Sequence, residues 1–139
     1  MVRILVVDDN PSVRHYLRSV LEQKATWQCD EARNGEDALE RVRKAPPDVI
    51  LLDFQMPDQN GLDVAREIAH SFARIPILMV TVHMNKQLAV AARAVGIRGA
   101  CAKSDVGSIV DAVEVLLQEG TYFPTMSTMG SIGTTKGWA

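Results

Sequence analysis

Residues 49–53 read Val49-Ile50-Leu51-Leu52-Asp53, four apolar side chains in a row closed by a carboxylate. A run with no polar alternation suits a strand covered on both faces, as parallel sheets require. Working outward, comparable runs occupy residues 4–7, 75–80 and 100–102, and a weaker, more polar run at 27–31 fits an edge strand. Between the runs lie segments of helical period. Short apolar runs alternating with helices mark βαβ units, so the chain is predicted to be α/β with a five-stranded, doubly wound parallel sheet.

Five helices are predicted. The first covers 11–24, with Val13, Tyr16, Leu17, Val20 and Leu21 on its inward stripe, Asn10 as N-cap and Pro11 at the first helical position. The second covers 36–44, with Ala38, Leu39 and Val42 inward, and stops before Pro46 and Pro47. The third covers 62–72 and aligns Leu62, Ala65, Ala69 and Phe72. The fourth covers 86–95, aligns Leu88, Ala91, Ala92 and Val95, and ends at Gly96. The fifth covers 107–118, aligns Ile109, Ala112, Val113, Leu116 and Leu117, and has Gly120 just beyond it. Residues 1–123 thus form one expected domain. From Thr125 onward nine of fifteen residues are Gly, Ser or Thr, so 124–139 is expected to be a linker or tail.

The totals agree with one soluble domain. Of 139 residues 47% are hydrophobic and 23% charged, and the net charge is -2, which gives no basic surface for nucleic acid. No apolar run is long enough to span a bilayer or to form a signal-peptide core, so a cytoplasmic location is expected. Cys29 and Cys101 have neither metal-ligand nor disulfide spacing and are read as buried apolar groups.

Open α/β sheets bind ligands outside the carboxyl ends of their strands. That rim selects Asp8 and Asp9 after the first strand, Asp53 after the third, Thr81 after the fourth and Lys103 after the fifth. Three carboxylates on one rim repel each other and call for a cation, and an all-oxygen set suits magnesium. Magnesium with Lys103 would answer the charge on a phosphoryl group in flight, Thr81 offers a hydroxyl, and Asp53 is the natural nucleophile because a carboxylate can form an acyl phosphate. Taken singly, each of these groups has a blander reading as turn former, cap or solvated charge. The joint pattern on four rim positions is what points to phosphoryl chemistry.

These residues carry a resemblance. Over nearly its whole length to about residue 123, the chain resembles a response-regulator receiver domain. Asp8 and Asp9 fall on that family's acidic pair, Asp53 in Leu51-Leu52-Asp53-Phe54-Gln55-Met56-Pro57 on its phosphoacceptor, Thr81 on its switch hydroxyl, Lys103 on its lysine, and Gly61 on the glycine after the acceptor loop. The resemblance implies a flavodoxin-like (βα)5 fold of strand order 2-1-3-4-5. It also implies a magnesium ion held by Asp9, Asp53 and the backbone carbonyl of Gln55, with Asp8 acting through water. The implied partner is a histidine kinase or phosphotransfer protein, with homodimer formation on phosphorylation a further expectation. The implied role is regulatory rather than enzymatic. Lys103-Ser104-Asp105 and Glu119-Gly120-Thr121-Tyr122-Phe123-Pro124 are similar to the close of receivers in NarL/FixJ-type transcription regulators, where a helix-turn-helix follows; a stand-alone adaptor is the alternative.

Three positions depart from the family's habit. Ala100 stands where many receivers carry a mobile Tyr or Phe, Ser104 stands where proline is usual, and Val82 is bulkier than the common small residue. With serine at 104 a trans peptide is expected after Lys103, since a non-proline cis bond costs about 3 kcal/mol. A haloacid-dehalogenase-like phosphatase would also use a strand-end aspartate, but needs a second acid two residues on, where this chain has Gln55.

Overall fold

The protein is described by a computed structural model that covers residues 1–56 and 59–123. Its sheet comprises β1 (Val2–Val7), β2 (Trp27–Ala32), β3 (Val49–Asp53), β4 (Ile77–Thr81) and β5 (Gly99–Ala102). All neighbours are parallel and the order is β2-β1-β3-β4-β5, as expected. The helices are α1 (Pro11–Leu21), α2 (Gly35–Lys44), α3 (Gly61–Ser71), α4 (Lys86–Ala94) and α5 (Val106–Leu117). A short antiparallel ladder, Gln55–Met56 with Gln59–Asn60, follows β3. Pro57 and the expected tail at 124–139 lie outside the described residues.

The strands divide their side chains between two cores by strict alternation. Leu5, Val7, Ile50, Leu52, Ile77 and Met79 face α2, α3 and α4. Ile4, Val6, Val49, Leu51, Leu78 and Val80 face α1 and α5. This two-sided burial is why the β3 run shows no polar position. Cys29 and Cys101 are buried on opposite edge strands. Burial, with Glu22 adding to it, pushes the Cys29 thiol up to about 12.

Every helix is opened by an Asn or Asp whose side chain accepts from backbone N–H groups of the first turn: Asn10, Asn34, Asn60, Asn85 and Asp105. These caps satisfy donors that helix starts otherwise leave unpaired. They also fix where each strand's carboxyl end hands over to its helix.

Three expected stripes need correction. In α1 Tyr16 is exposed, because the inward face narrows to Leu17 and Leu21 with Val13 and Val20 at its margin. In α3 the buried residues are Val64, Ala65 and Ile68. Leu62 and Phe72 only flank that core and Ala69 is half-buried, since the helix is rotated to set its aliphatic side chains on β3. In α4 Ala89 joins Ala92 as the fully buried pair, while Leu88 and Val95 are peripheral. α1 ends at Leu21, three residues before the expected end, and other ends differ by a residue or two: β4 starts at Ile77, after Pro76, whose carbonyl accepts from Ile50.

Gly96 ends α4 as expected, with φ of 96°. At the end of α5 the left-handed residue is Glu119 (φ 66°), not the glycine. Glu119 donates to Leu116 and Gly120 to Val115, the paired bonds of a Schellman turn. Gly120 is needed instead for close approach, since a Cβ there would lie 2.8 Å from Val115 Cγ1.

Candidate phosphoryl-acceptor site

The five sequence-selected side chains converge at the carboxyl rim of the sheet. Asp8 follows β1 and is buried; Asp53 ends β3 and is buried; Thr81 ends β4 and has no exposed surface. Asp9 is exposed beside them. One carboxylate oxygen from each of Asp8, Asp9 and Asp53 falls within 4.8 Å of the others. From the end of β5, Lys103 brings Nζ to 2.9 Å from Asp8 Oδ2 and 3.1 Å from Asp53 Oδ1. The β1-β3 and β4-β5 pairings make this convergence a consequence of strand order, and Lys103 N–H donating to the Thr81 carbonyl at 2.7 Å ties the two rim ends together.

Backbone donors occupy one oxygen of each buried carboxylate. Asn10 N–H donates to Asp8 Oδ1 at 2.9 Å and Gln55 N–H to Asp53 Oδ1 at 3.1 Å. The other oxygens, Asp8 Oδ2 and Asp53 Oδ2, are buried without a hydrogen-bond donor. Asp8 Oδ2 has Lys103 Nζ as its ionic partner at 2.9 Å, which leaves Asp53 Oδ2 as the oxygen that no partner meets. A buried acceptor left in this state is costly. Together with the Asp8 and Asp9 carboxylates it forms an all-oxygen set that fits a hard divalent cation.

The electrostatics follow from burial and crowding. Burial, and then the Asp8 charge, push the Asp53 carboxyl above the ordinary aspartate range, with Lys103 only partly offsetting them. For Lys103 burial works against the ammonium, yet Asp8 and Asp53 outweigh it and hold the group above the ordinary lysine range. The lysine therefore stays charged.

The acceptor loop is shaped by a close backbone approach. A Cβ on Gly61 would lie 2.8 Å from Phe54 Cα and 2.9 Å from Phe54 O, and Gly61 N–H donates to that carbonyl. Thr81 Oγ1 donates to the His83 carbonyl over a long 3.4 Å. Gln55 is exposed beside Asp53, so no carboxylate stands two residues after the nucleophile position. Val82 exposes 53% of its surface. No cis peptide occurs among the described residues, so Lys103–Ser104 is trans as expected.

Sequence reasoning missed a supporting layer. Arg14 of α1 donates from Nη1 to the Asp8 carbonyl at 2.7 Å and from Nε to Glu31 Oε1 at 2.9 Å. Arg18 adds a bond to Glu31 Oε2. Helical spacing places Arg14 and Arg18 on one face, but nothing local in the sequence links them to an edge-strand glutamate.

No described helix is long and apolar enough to cross a membrane. Comparison with known proteins agrees with the geometry. A family model for the response regulator receiver domain matches residues 4–114. The response regulator UvrY of Escherichia coli K12 is 42% identical over 89 residues, 63% of this chain and 41% of UvrY. The transcriptional regulatory protein DegU of Brevibacillus brevis is 28% identical over 123 residues, 87% of this chain and 52% of DegU. The chain thus spans about half, or less, of the curated relatives it matches. A two-component response regulator of the LuxR family from Aurantimonas sp. SI85-9A1 superposes with a TM-score of 0.85 at 28% identity, covering 94% of each chain. A parallel sheet in 2-1-3-4-5 order, an acid trio with a lysine on its carboxyl rim, and a family model spanning most of the sequence lead to one conclusion: the chain belongs to the response regulator receiver domain family of two-component systems.

Proposed function

We propose that Asp53 accepts a phosphoryl group from the phosphohistidine of a histidine kinase or phosphotransfer protein, and that the acyl phosphate so formed is the signal. The observation that carries this reading is Asp53 Oδ2: buried, without a hydrogen-bond donor, and set among Asp8, Asp9 and Lys103. A lone pair of this oxygen forms the new O–P bond as the P–N bond to the donor imidazole breaks, its electron pair returning to that nitrogen.

Asp9, Asp53 and the backbone carbonyl of Gln55 would hold magnesium, with Asp8 acting through water. When bound, magnesium supplies positive charge against the equatorial phosphoryl oxygens. Lys103 contributes a second positive group, already aimed at Asp53. Thr81 Oγ1 can leave its long bond to the His83 carbonyl and donate to a phosphoryl oxygen. Gln55 N–H, fixed on Asp53 Oδ1, keeps the carboxylate turned so that Oδ2 is the free nucleophile.

Residues 1–123 act as the receiver and 124–139 as a linker in this reading. The output is transcriptional regulation, supported by the likeness to DegU and to a LuxR-family regulator; the alternative is a stand-alone adaptor. Phosphorylation would favour a homodimer.

The test is intact-mass measurement after incubation with a small acyl phosphate and magnesium. One added phosphoryl mass is expected, removable by hydroxylamine, absent in Asp53→Asn and absent with a chelator. A gain that persists in Asp53→Asn would remove Asp53 from the role, and one that persists in chelator would remove the metal.

A further inference from the structure

We infer that Glu31, near the end of the edge strand β2 and outside the acid trio, is a positioning residue for the metal site: through Arg14 it sets how much of the time the Asp8–Asp9 turn stands ready for magnesium. This role rests on the proposed magnesium-dependent phosphoryl acceptance and deepens it by naming the residue that sets its metal requirement.

Two adjacent residues of β2 hold both peptide groups of Asp8. The Ala32 carbonyl accepts from Asp8 N–H at 3.1 Å. The Asp8 carbonyl accepts from Arg14 Nη1 at 2.7 Å, and Arg14 Nε donates to Glu31 Oε1 at 2.9 Å. Glu31 is itself held from further sides: Arg18 Nη1 donates to its other oxygen over 3.4 Å, and His15 Nε2 stands 3.5 Å from the oxygen that Arg14 uses. The Arg14 and Glu31 side chains are only 15% and 17% exposed, so water and salt screen their attraction less than that of the open surface pairs on the helices.

The carbonyl that Arg14 holds belongs to the peptide linking Asp8 to Asp9. Fixing that plane fixes the direction in which Asp9 leaves the backbone, and Asp9 is exposed, without the burial that holds Asp8 and Asp53. The trio is complete only with one oxygen from each residue within 4.8 Å of the others, so its least packed member decides how often the set is assembled. Arg14 can serve both partners because a guanidinium presents donors in two directions from one rigid plane. Without a carboxylate at position 31 the guanidinium loses the partner that orients it, and the turn samples arrangements in which the trio is spread. A site competent for only a fraction of the time binds its ion more weakly by that fraction. With the ion in place the trio is complete again and Asp53 reacts as before. Glu31 therefore acts on the metal requirement, not on the rate of the loaded site.

The test reads magnesium affinity of the full chain by calorimetry, and phosphoryl uptake from a small acyl phosphate by intact mass over a range of magnesium concentrations. Glu31→Gln keeps the shape of the side chain and removes its charge. It is expected to weaken magnesium binding about fivefold, as a turn assembled roughly a fifth of the time would, and to raise the half-saturating magnesium concentration for uptake equally, with the rate at saturating magnesium unchanged. Added to Arg14→Ala, it should weaken binding no further than Arg14→Ala does alone, because both cut one link. Arg18→Ala, which removes a Glu31 partner that does not reach the Asp8 carbonyl, should lower stability in urea and keep the parent affinity within about twofold. Should Glu31→Gln not fold, Arg14→Lys, which offers one ammonium to two partners, carries the same expectation. Parent affinity in a folded Glu31→Gln or Arg14→Lys, or a full second loss in the double variant, overturns the positioning role and leaves Asp53 as acceptor. A parent protein that takes up no magnesium removes this role and the metal reading together.

Discussion

Arg14 of α1 holds the backbone carbonyl of Asp8 at 2.7 Å while its Nε holds Glu31 of β2. The guanidinium thereby fastens the turn that presents the acidic pair to an edge strand and a helix at once. Arg14→Ala leaves a partly buried carbonyl and Glu31 without their shared donor, so a loss of about 2 kcal/mol is expected in urea unfolding. Magnesium affinity, read by calorimetry, should fall severalfold as the Asp8–Asp9 turn loosens; unaltered affinity in a folded variant would limit Arg14 to stability.

Glu31 gives a pH signature. Burial opposes its ionisation, but the hydrogen bonds from Arg14 and Arg18 outweigh burial and hold its carboxyl below the ordinary glutamate range. A depressed folded-state value means stabilisation that is complete above the ordinary range and is lost as pH falls through the depressed value. Glu31→Gln should therefore show a shallower acid limb in stability against pH than the parent protein, by chemical denaturation at several pH values. Equal slopes would refute the ion-pair account.

Asp53 behaves in the opposite sense. Its folded-state value is raised, so the native state binds the proton more readily, and ionisation costs stability as pH rises through the raised value. In chelator at neutral pH, Asp53→Asn is expected to be more stable by roughly 1 kcal/mol, the scale of one unsatisfied buried acceptor. The gap should close below the ordinary aspartate range, and magnesium should restore the parent protein but not the variant.

Gly61 is fixed by contact. An added Cβ meets the Phe54 backbone at 2.8 and 2.9 Å, and backbone cannot turn aside as a side chain can. Gly61→Ala should cost about 1–3 kcal/mol as overpacking does, and should slow phosphoryl uptake by displacing the loop after Asp53. Thermal melts and intact-mass time courses measure the two effects separately.

Glu119 offers a stabilising change. It occupies the left-handed region at φ 66° on an exposed turn. Glu119→Gly should gain about 0.5–1 kcal/mol, since glycine carries no Cβ penalty there, partly offset by the greater freedom of the unfolded chain. A loss in urea unfolding would show that the Glu119 side chain contributes more than its backbone costs.

How much of this was legible in advance depends on the range of the interaction. The β3 run and its relatives in β1 and β4 could be read directly, because double-sided burial imposes an unbroken apolar sequence. Asn10 and Gly96 were legible as a cap and a stop for equally local reasons. The inward faces of α1 and α3 were less so: Tyr16 fits a helical stripe but lies beyond its margin, and Val64 and Ile68 displaced Ala69 and Phe72. Helical period fixes which residues share a face, not the angle at which that face meets the sheet.

The order of residue types along the chain determined the α/β class, the five strands and the set Asp8, Asp9, Asp53, Thr81 and Lys103. Strand-end position alone sends those groups to one rim. Only the tertiary structure decided which carboxylate oxygens lack donors, that Arg14 joins Asp8 to Glu31, and that Phe123 lies under Arg93 beside Ala100. Those outcomes depend on ångström-scale approach between segments far apart in sequence, and no periodicity or spacing encodes such distances.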